Sequence, residues 1–157
     1  MAKSIKPIPD GYHSVTPYLI IGGGRCKEAL AFYARAFGAK ESMRMPRHDG
    51  GVSHAEIQLG DSRIMLADEE PKVNAYGPNH YGGSPVSLHV YLPDVDATTR
   101  QAVDAGAKLV RPLADQFYGD RSAGLEDPFG HHWHLSTHIR DVSMEELQQH
   151  MHEMATT

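Results

Sequence analysis

The 157-residue chain has one cysteine, Cys26, so it can close no internal disulfide and offers no cysteine pair to a structural metal. That scarcity fits a reducing interior, and a cytoplasmic location is expected. No apolar segment is long enough to cross a bilayer, and the opening MAKSIKPIPDGYHS lacks a signal-peptide core, so no membrane association is expected. Basic residues are few as well. The 15 Lys and Arg against 20 Asp and Glu leave a formal charge of -5 and form no cluster, which argues against a nucleic-acid partner. The length suits one domain, or two small halves, with a sizeable core.

What is present is ordered. VTPYLII (15–21) reads as a strand, ended by GGG at 22–24. RCKEALAFYARAFGAK then changes period, placing Ala29, Phe32, Tyr33, Ala36 and Phe37 on one helical stripe, with Gly38 at the C-cap. Lys40 to Pro46, Ser53 to Leu59 and Arg63 to Ala67 follow as short strands separated by RHDGG and GD turns. The turn formers of DEEPKVNAYGPNHYGG read as a linker over 69–83. A second pass then begins: PVSLHVYL as strand, VDATTRQAVDAGAK as helix with Asp94 or Asp96 as N-cap and Gly106 at its end, and KLVRPLADQ, DRSAGLED and HHWHLSTHI as strands. AFGAK at 36–40 and DAGAK at 104–108 occupy the same place, an offset of 68 that also lays LGDSRIML over DPFGHHWHL. The expected organisation is therefore one domain of two βαβββ modules, 12–68 and 84–140, with an amphipathic helix in 141–157.

Two such modules, HAEI and LGD at the third strand, VSLHVYLPDVDA at the fifth and DQFYGDRSAGLEDPFGHHW in the tail together resemble the vicinal oxygen chelate superfamily. Within it the likeness is to the glyoxalase, bleomycin-resistance and dioxygenase group, in its PhnB-like branch. The resemblance implies an α+β fold in which curved mixed sheets form a cup-shaped site and the helices pack on the outer face. It also implies a homodimer, because members of this fold commonly complete their cups with a partner.

Strand alternation sorts the side chains between the two faces. His131, Trp133, Leu135, Thr137 and Ile139 share one side of the eighth strand, which belongs under a helix; His132, His134, Ser136 and His138 share the other. Applied to each strand, alternation assigns Thr16, Tyr18, His54, Glu56, Gln58, Ser87, His89, Tyr91, His132 and His134 to a polar concave wall. Polar groups so gathered look like a ligand site rather than a core. Phe117 and Tyr118 are expected in a rim loop, with a place in the core as the equal alternative for Tyr118. Asp120 and Arg121 are expected to pair and hold that loop, with Arg121 also within reach of an anionic ligand. His131 and His138, near strand ends, and His150 and His152 on the last helix are expected at the surface. Cys26 is taken as structural.

Metal-using members of the superfamily hold a divalent ion from the first, third or fourth, fifth and eighth strands. By resemblance Glu56 falls on a ligand carboxylate, and His134 stands where a last-strand glutamate is usual. The first-strand position falls near Thr16 or Tyr18 and the fifth on Pro85, so the inherited set is broken. A rebuilt set of Glu56, His89 and His134, with His54 spare, would suit Zn, Ni, Mn or Fe. The expected function is binding of a small organic ligand in the cup. Its alternatives are a metal-dependent lyase, isomerase or dioxygenase acting on vicinal oxygens, and a non-catalytic interaction module.

Overall fold

A helix forms where the apolar stripe runs, and Gly38, at φ 68°, ends it by donating its backbone N–H to the Ala34 carbonyl. In the computed structural model, which describes residues 5–156, the chain divides into two units, the first ending at Ser84 and the second beginning at Pro85. The first unit holds β1 (Tyr18–Ile21), α1 (Cys26–Phe37), β2 (Lys40–Pro46), β3 (Val52–Leu59) and β4 (Ser62–Asp68). Its sheet runs β1-β4-β3-β2, with β1 parallel to β4 and the other pairs antiparallel. The second unit repeats this arrangement with β5 (Ser87–Tyr91), α2 (Val95–Ala105), β6 (Lys108–Asp115), β7 (Asp120–Glu126) and β8 (His132–His138), ordered β5-β8-β7-β6. A third helix, α3 (Met144–Ala155), follows it, opened by a capping box between Ser143 and Glu146.

Each unit buries one sheet face beneath its helix, but the bulk comes from opposite partners. In the first, α1 supplies Phe32, Tyr33 and Phe37, all buried, and the facing β4 residues are Ile64 and Leu66. In the second, α2 supplies only Val95, Thr99 and Ala102, and β8 answers with Trp133, fully buried. The large ring fills what small helix residues leave open. Asp127 holds it there: the carboxylate accepts from the Trp133 indole N–H at 2.9 Å and from the backbone N–H groups of Phe129 and His131 at 2.9 and 3.0 Å.

Four expectations need correction. The first strand starts at Tyr18 rather than residue 15; Val15 is 82% exposed, and ladder pairing begins only where the Pro17 carbonyl accepts from Met65. The repeat is not a constant offset. Ile57 pairs with Ile64 and Leu125 with Trp133, so the last strands match at 69 rather than 68, one residue having entered the β7–β8 turn. Segment 69–83 is no slack linker. It carries 3-10 turns at Pro71–Val73 and Pro78–Tyr81, and Gly77 packs so closely on the first unit that a Cβ there would lie 2.7 Å from the Gly22 nitrogen. Finally, His131 is buried at the turn that Asp127 organises.

Candidate functional site

The face turned away from the helix carries the polar residues in both units, and sheet register aligns them into rows. In the first unit Tyr18, Met65, Glu56 and Met43 are successive partners across β1, β4, β3 and β2. Glu56 is only 3% exposed, yet it is well satisfied. Its Oε2 accepts from the Tyr12 hydroxyl at 2.5 Å and from Arg63 at 3.2 Å, and its Oε1 lies 3.2 Å from His54 Nε2. Burial pushes this carboxyl up, but the Tyr12 hydroxyl, the His54 imidazole and the Arg63 guanidinium outweigh it and hold the group below its ordinary value. Glu56 is therefore an ionised acceptor.

That fixes the neighbouring imidazole. An ionised carboxylate can only accept, so His54 Nε2 carries a proton, and in the neutral imidazole Nδ1 is then an acceptor. The Tyr18 hydroxyl, 2.8 Å away, donates to Nδ1. The Tyr18 oxygen thus turns its lone pairs outward, ready to accept from a ligand. Beside it opens a cavity of about 540 Å³, lined by Tyr18, Ile20, Ala67, Val73 and Ala75 among others. Most of its wall is apolar, and Arg47, Ser53, Asp68 and Glu70 line it together with the Tyr18 phenol.

In the second unit the equivalent row is His89, His134, Gly124 and Arg111, across β5, β8, β7 and β6. The His89 and His134 rings lie 6.3 Å apart. Burial, then the charge of Arg111 and the neighbouring His89 and His132, depress the His134 pKa below its ordinary value. Further along the same face Tyr91 donates to the buried Asp120 at 2.9 Å, and His138 Nδ1 lies 2.8 Å from the other Asp120 oxygen. His138 also reaches Asp141 at 3.0 Å; Asp141 first, then Asp120, raise its pKa.

The remaining expected site residues scatter. Thr16 is half-buried ahead of β1, and Gln58 turns its amide to the Gly60 carbonyl. Ser87 is exposed opposite His132, which itself comes within 3.9 Å of Glu126. Phe117 stacks on His150 at 4.4 Å and meets Tyr118 edge-on, so His150 is a ring partner rather than a solvated surface residue. Arg121 does not pair with Asp120. It sits on the helix face with Ala123 and Leu125, makes two hydrogen bonds to Asp96 of α2 at 2.8 and 2.9 Å and a third to Asp115, and is not turned to the polar face. Tyr12, Arg63 and Arg111 were absent from the expected set. Alternation along the fourth and sixth strands would have exposed the two arginines; Tyr12 precedes every periodic segment and leaves no such signal.

The residues present do not fit a divalent metal. Both Glu56 oxygens are engaged and its charge is met by Arg63, while His89 and His134 share their row with the cation Arg111. Among the described residues no three His, Cys, Asp or Glu side chains group as a metal-binding cluster. Within the first unit Glu56 is already neutralised, and within the second His89 and His134 stand beside a cation.

Residues 15–135 match the model of the Glyoxalase/Bleomycin resistance protein/Dioxygenase superfamily. An uncharacterized protein of Mycobacterium tuberculosis (strain ATCC 25618 / H37Rv) is 37% identical over 151 residues, spanning 94% of this chain and 84% of its own length. Among solved structures, a gene product of Arabidopsis thaliana is similar at 28% identity and TM-score 0.65, covering 80% of this chain and 98% of that one. A PhnB protein from Bacillus cereus shares the fold at TM-score 0.60 and 19% identity, covering 80% and 99% of the two chains.

Proposed function

The chain belongs to the glyoxalase/bleomycin resistance protein/dioxygenase superfamily, and from that premise we propose that it binds a small organic ligand without help from a metal. The observation that carries this reading is the cavity beside Tyr18, whose 540 Å³ lies within the range of small-molecule sites. Ile20, Ala67, Val73 and Ala75 supply apolar area, and the phenol supplies direction. The Tyr18–His54–Glu56 chain of hydrogen bonds orients the phenol as an acceptor, so the favoured ligand has an apolar body and a hydrogen-bond donor that reaches it. Binding of this kind changes a ligand's free concentration without turning it over. Sequestration is the function it serves.

The proposal includes membership of the PhnB-like branch, a homodimer and a cytoplasmic setting. Support for the dimer comes from aromatic and apolar area on the polar sheet faces, where Tyr91 is 63% and Met45 49% exposed. Light scattering behind size-exclusion chromatography tests it: a monomer at working concentration would remove that part.

A fluorescence titration of the full chain with Nile red, a neutral apolar dye, tests the binding site. Saturable enhancement that is lost in Ile20→Trp, which fills the cavity, supports the reading. No saturation in the parent protein, or an unchanged curve in the variant, overturns it.

A further inference from the structure

The row in the second unit is peculiar in its charge. Arg111, His134 and His89 face the same way, and His132 is two residues from His134 on the same face of β8. Among the described residues no hydrogen bond or ion pair reaches the Arg111 guanidinium, whereas Arg44, Arg47, Arg63 and Arg121 each hold a carboxylate. The nearby acids are already engaged: Asp120 takes Tyr91 and His138, and Glu126 leans toward His132. Arg111, the one permanent cation of the row, thus lies unneutralised beside imidazoles, and its charge opposes protonation of His134. The chain as a whole carries -5, so this row is no overflow of a basic surface.

The fold also draws the row close together at that spot. Gly124 stands between Arg111 and His134, and a Cβ there would come within 2.8 Å of the Arg111 Cβ and 3.6 Å of His134 Nδ1. A register shift in β6 between Leu109 and Arg111 lies beside this close approach. Next to it on β8, facing the same way, the Ser136 hydroxyl is fully buried and has no hydrogen-bond partner. A buried hydroxyl left unpaired is costly, and this one stands on the polar face two residues from His134. A forked guanidinium, imidazole N–H donors and a spare hydroxyl make a donor set suited to a delocalised oxyanion.

We infer that the Arg111–Gly124–His134–His89 row binds the oxyanion group of a small molecule, a carboxylate or a phosphoryl-type group, with Arg111 as the charged anchor. This rests on the ligand-binding reading above in taking a polar sheet face as a binding surface, but it concerns different residues and a different unit.

The test is an NMR titration of the full chain with inorganic phosphate and, separately, acetate, exchanged against chloride at constant ionic strength and fixed pH. The histidine ring signals are the readout. Saturable shifts at His89 and His134, with His13 and His48 unmoved, are expected for one or both anions. Phosphate alone indicates a tetrahedral group and acetate alone a planar one. Arg111→Ala should weaken the binding roughly tenfold or more, the worth of one charge-assisted hydrogen bond, and Arg111→Lys less. Ser136→Ala removes the spare hydroxyl without the fork and should weaken it by a smaller factor. Shifts spread evenly over all histidines, no shift with either anion, or an unchanged curve in Arg111→Ala would overturn the inference. If Nile red still saturates in that event, the ligand-binding reading stands and only the oxyanion is lost; if neither probe binds, both fail.

Discussion

The same four lattice positions carry Tyr18, Met65, Glu56 and Met43 in one unit and His89, His134, Gly124 and Arg111 in the other. Where the first unit buries an acid and brings Arg63 to it, the second removes the side chain and leaves Arg111 without a partner. Topology therefore dictates where functional groups stand and leaves their charge free to diverge. The helix side teaches the same lesson in apolar terms, since ring bulk sits on α1 in one unit and on β8 in the other.

The largest effect that could break this comparison is in the core. Trp133→Ala should cost about 3 to 5 kcal/mol in urea denaturation, because α2 has no large residue to close the void, whereas Ile64→Val at the matching position should cost roughly 1 kcal/mol. Equal losses would mean the bulk is not exchanged between helix and strand as described. The two arginines sharpen the contrast next. Arg63→Ala strips one charge-assisted bond from the buried Glu56 and should destabilise by about 1.5 to 3 kcal/mol. Arg111→Ala should stay within about 0.5 kcal/mol of the parent or stabilise it, since only repulsion is relieved.

Acid should separate the two faces further. The His134 pKa is depressed, so the folded state binds fewer protons than the unfolded one; its contribution is full above 6.5 and is lost as pH falls through the lower folded value. Glu56 is also depressed, so its contribution is full above 4.5 and is lost only below that. His138 runs the other way: its raised pKa gives stability that is full below 6.5 and lost as pH rises through the folded value. In a His138→Asn background, lowering the pH from 7 to 5 should therefore lower the urea midpoint, and His134→Gln should abolish most of that loss. Glu56→Gln should matter only in the window nearer pH 4. The smallest expected signal is elemental: protein prepared without chelator should hold well under one transition metal per chain, and Glu56→Ala with His134→Ala should leave that value unchanged. Stoichiometric metal lost in the double variant would revive the metal-dependent reading.

Much of the fold was legible because its signals are local. The stripe of Ala29, Phe32, Tyr33, Ala36 and Phe37 and the capping glycines at 38 and 106 carry their meaning within a few residues, as does the alternation of Trp133 and Leu135 against His132 and His134. What escaped was decided at a distance. Arg121 chose Asp96 on a helix 25 residues back over the adjacent Asp120, because its strand parity turns it to that side. Glu56 was legible as an inward carboxylate, but its chemistry is set by Tyr12, 44 residues away in an aperiodic segment. The close approach at Gly124 reads in sequence as one small residue in a strand; only pairing with β6 and β8 gives it neighbours.

Asp127 makes one last connection. A β-strand can slip by a single residue at little cost to its backbone ladder, and the slip turns every side chain over. The turn before β8 holds one residue more than its counterpart, so it is a place where misalignment would be easy. There, however, one carboxylate grips two turn amides and the Trp133 indole together, and no shifted alignment keeps all three. The carboxylate serves as a checkpoint on registration, and the placing of His134 beside His89 and Gly124 on the far face inherits its accuracy from an acid that never touches them.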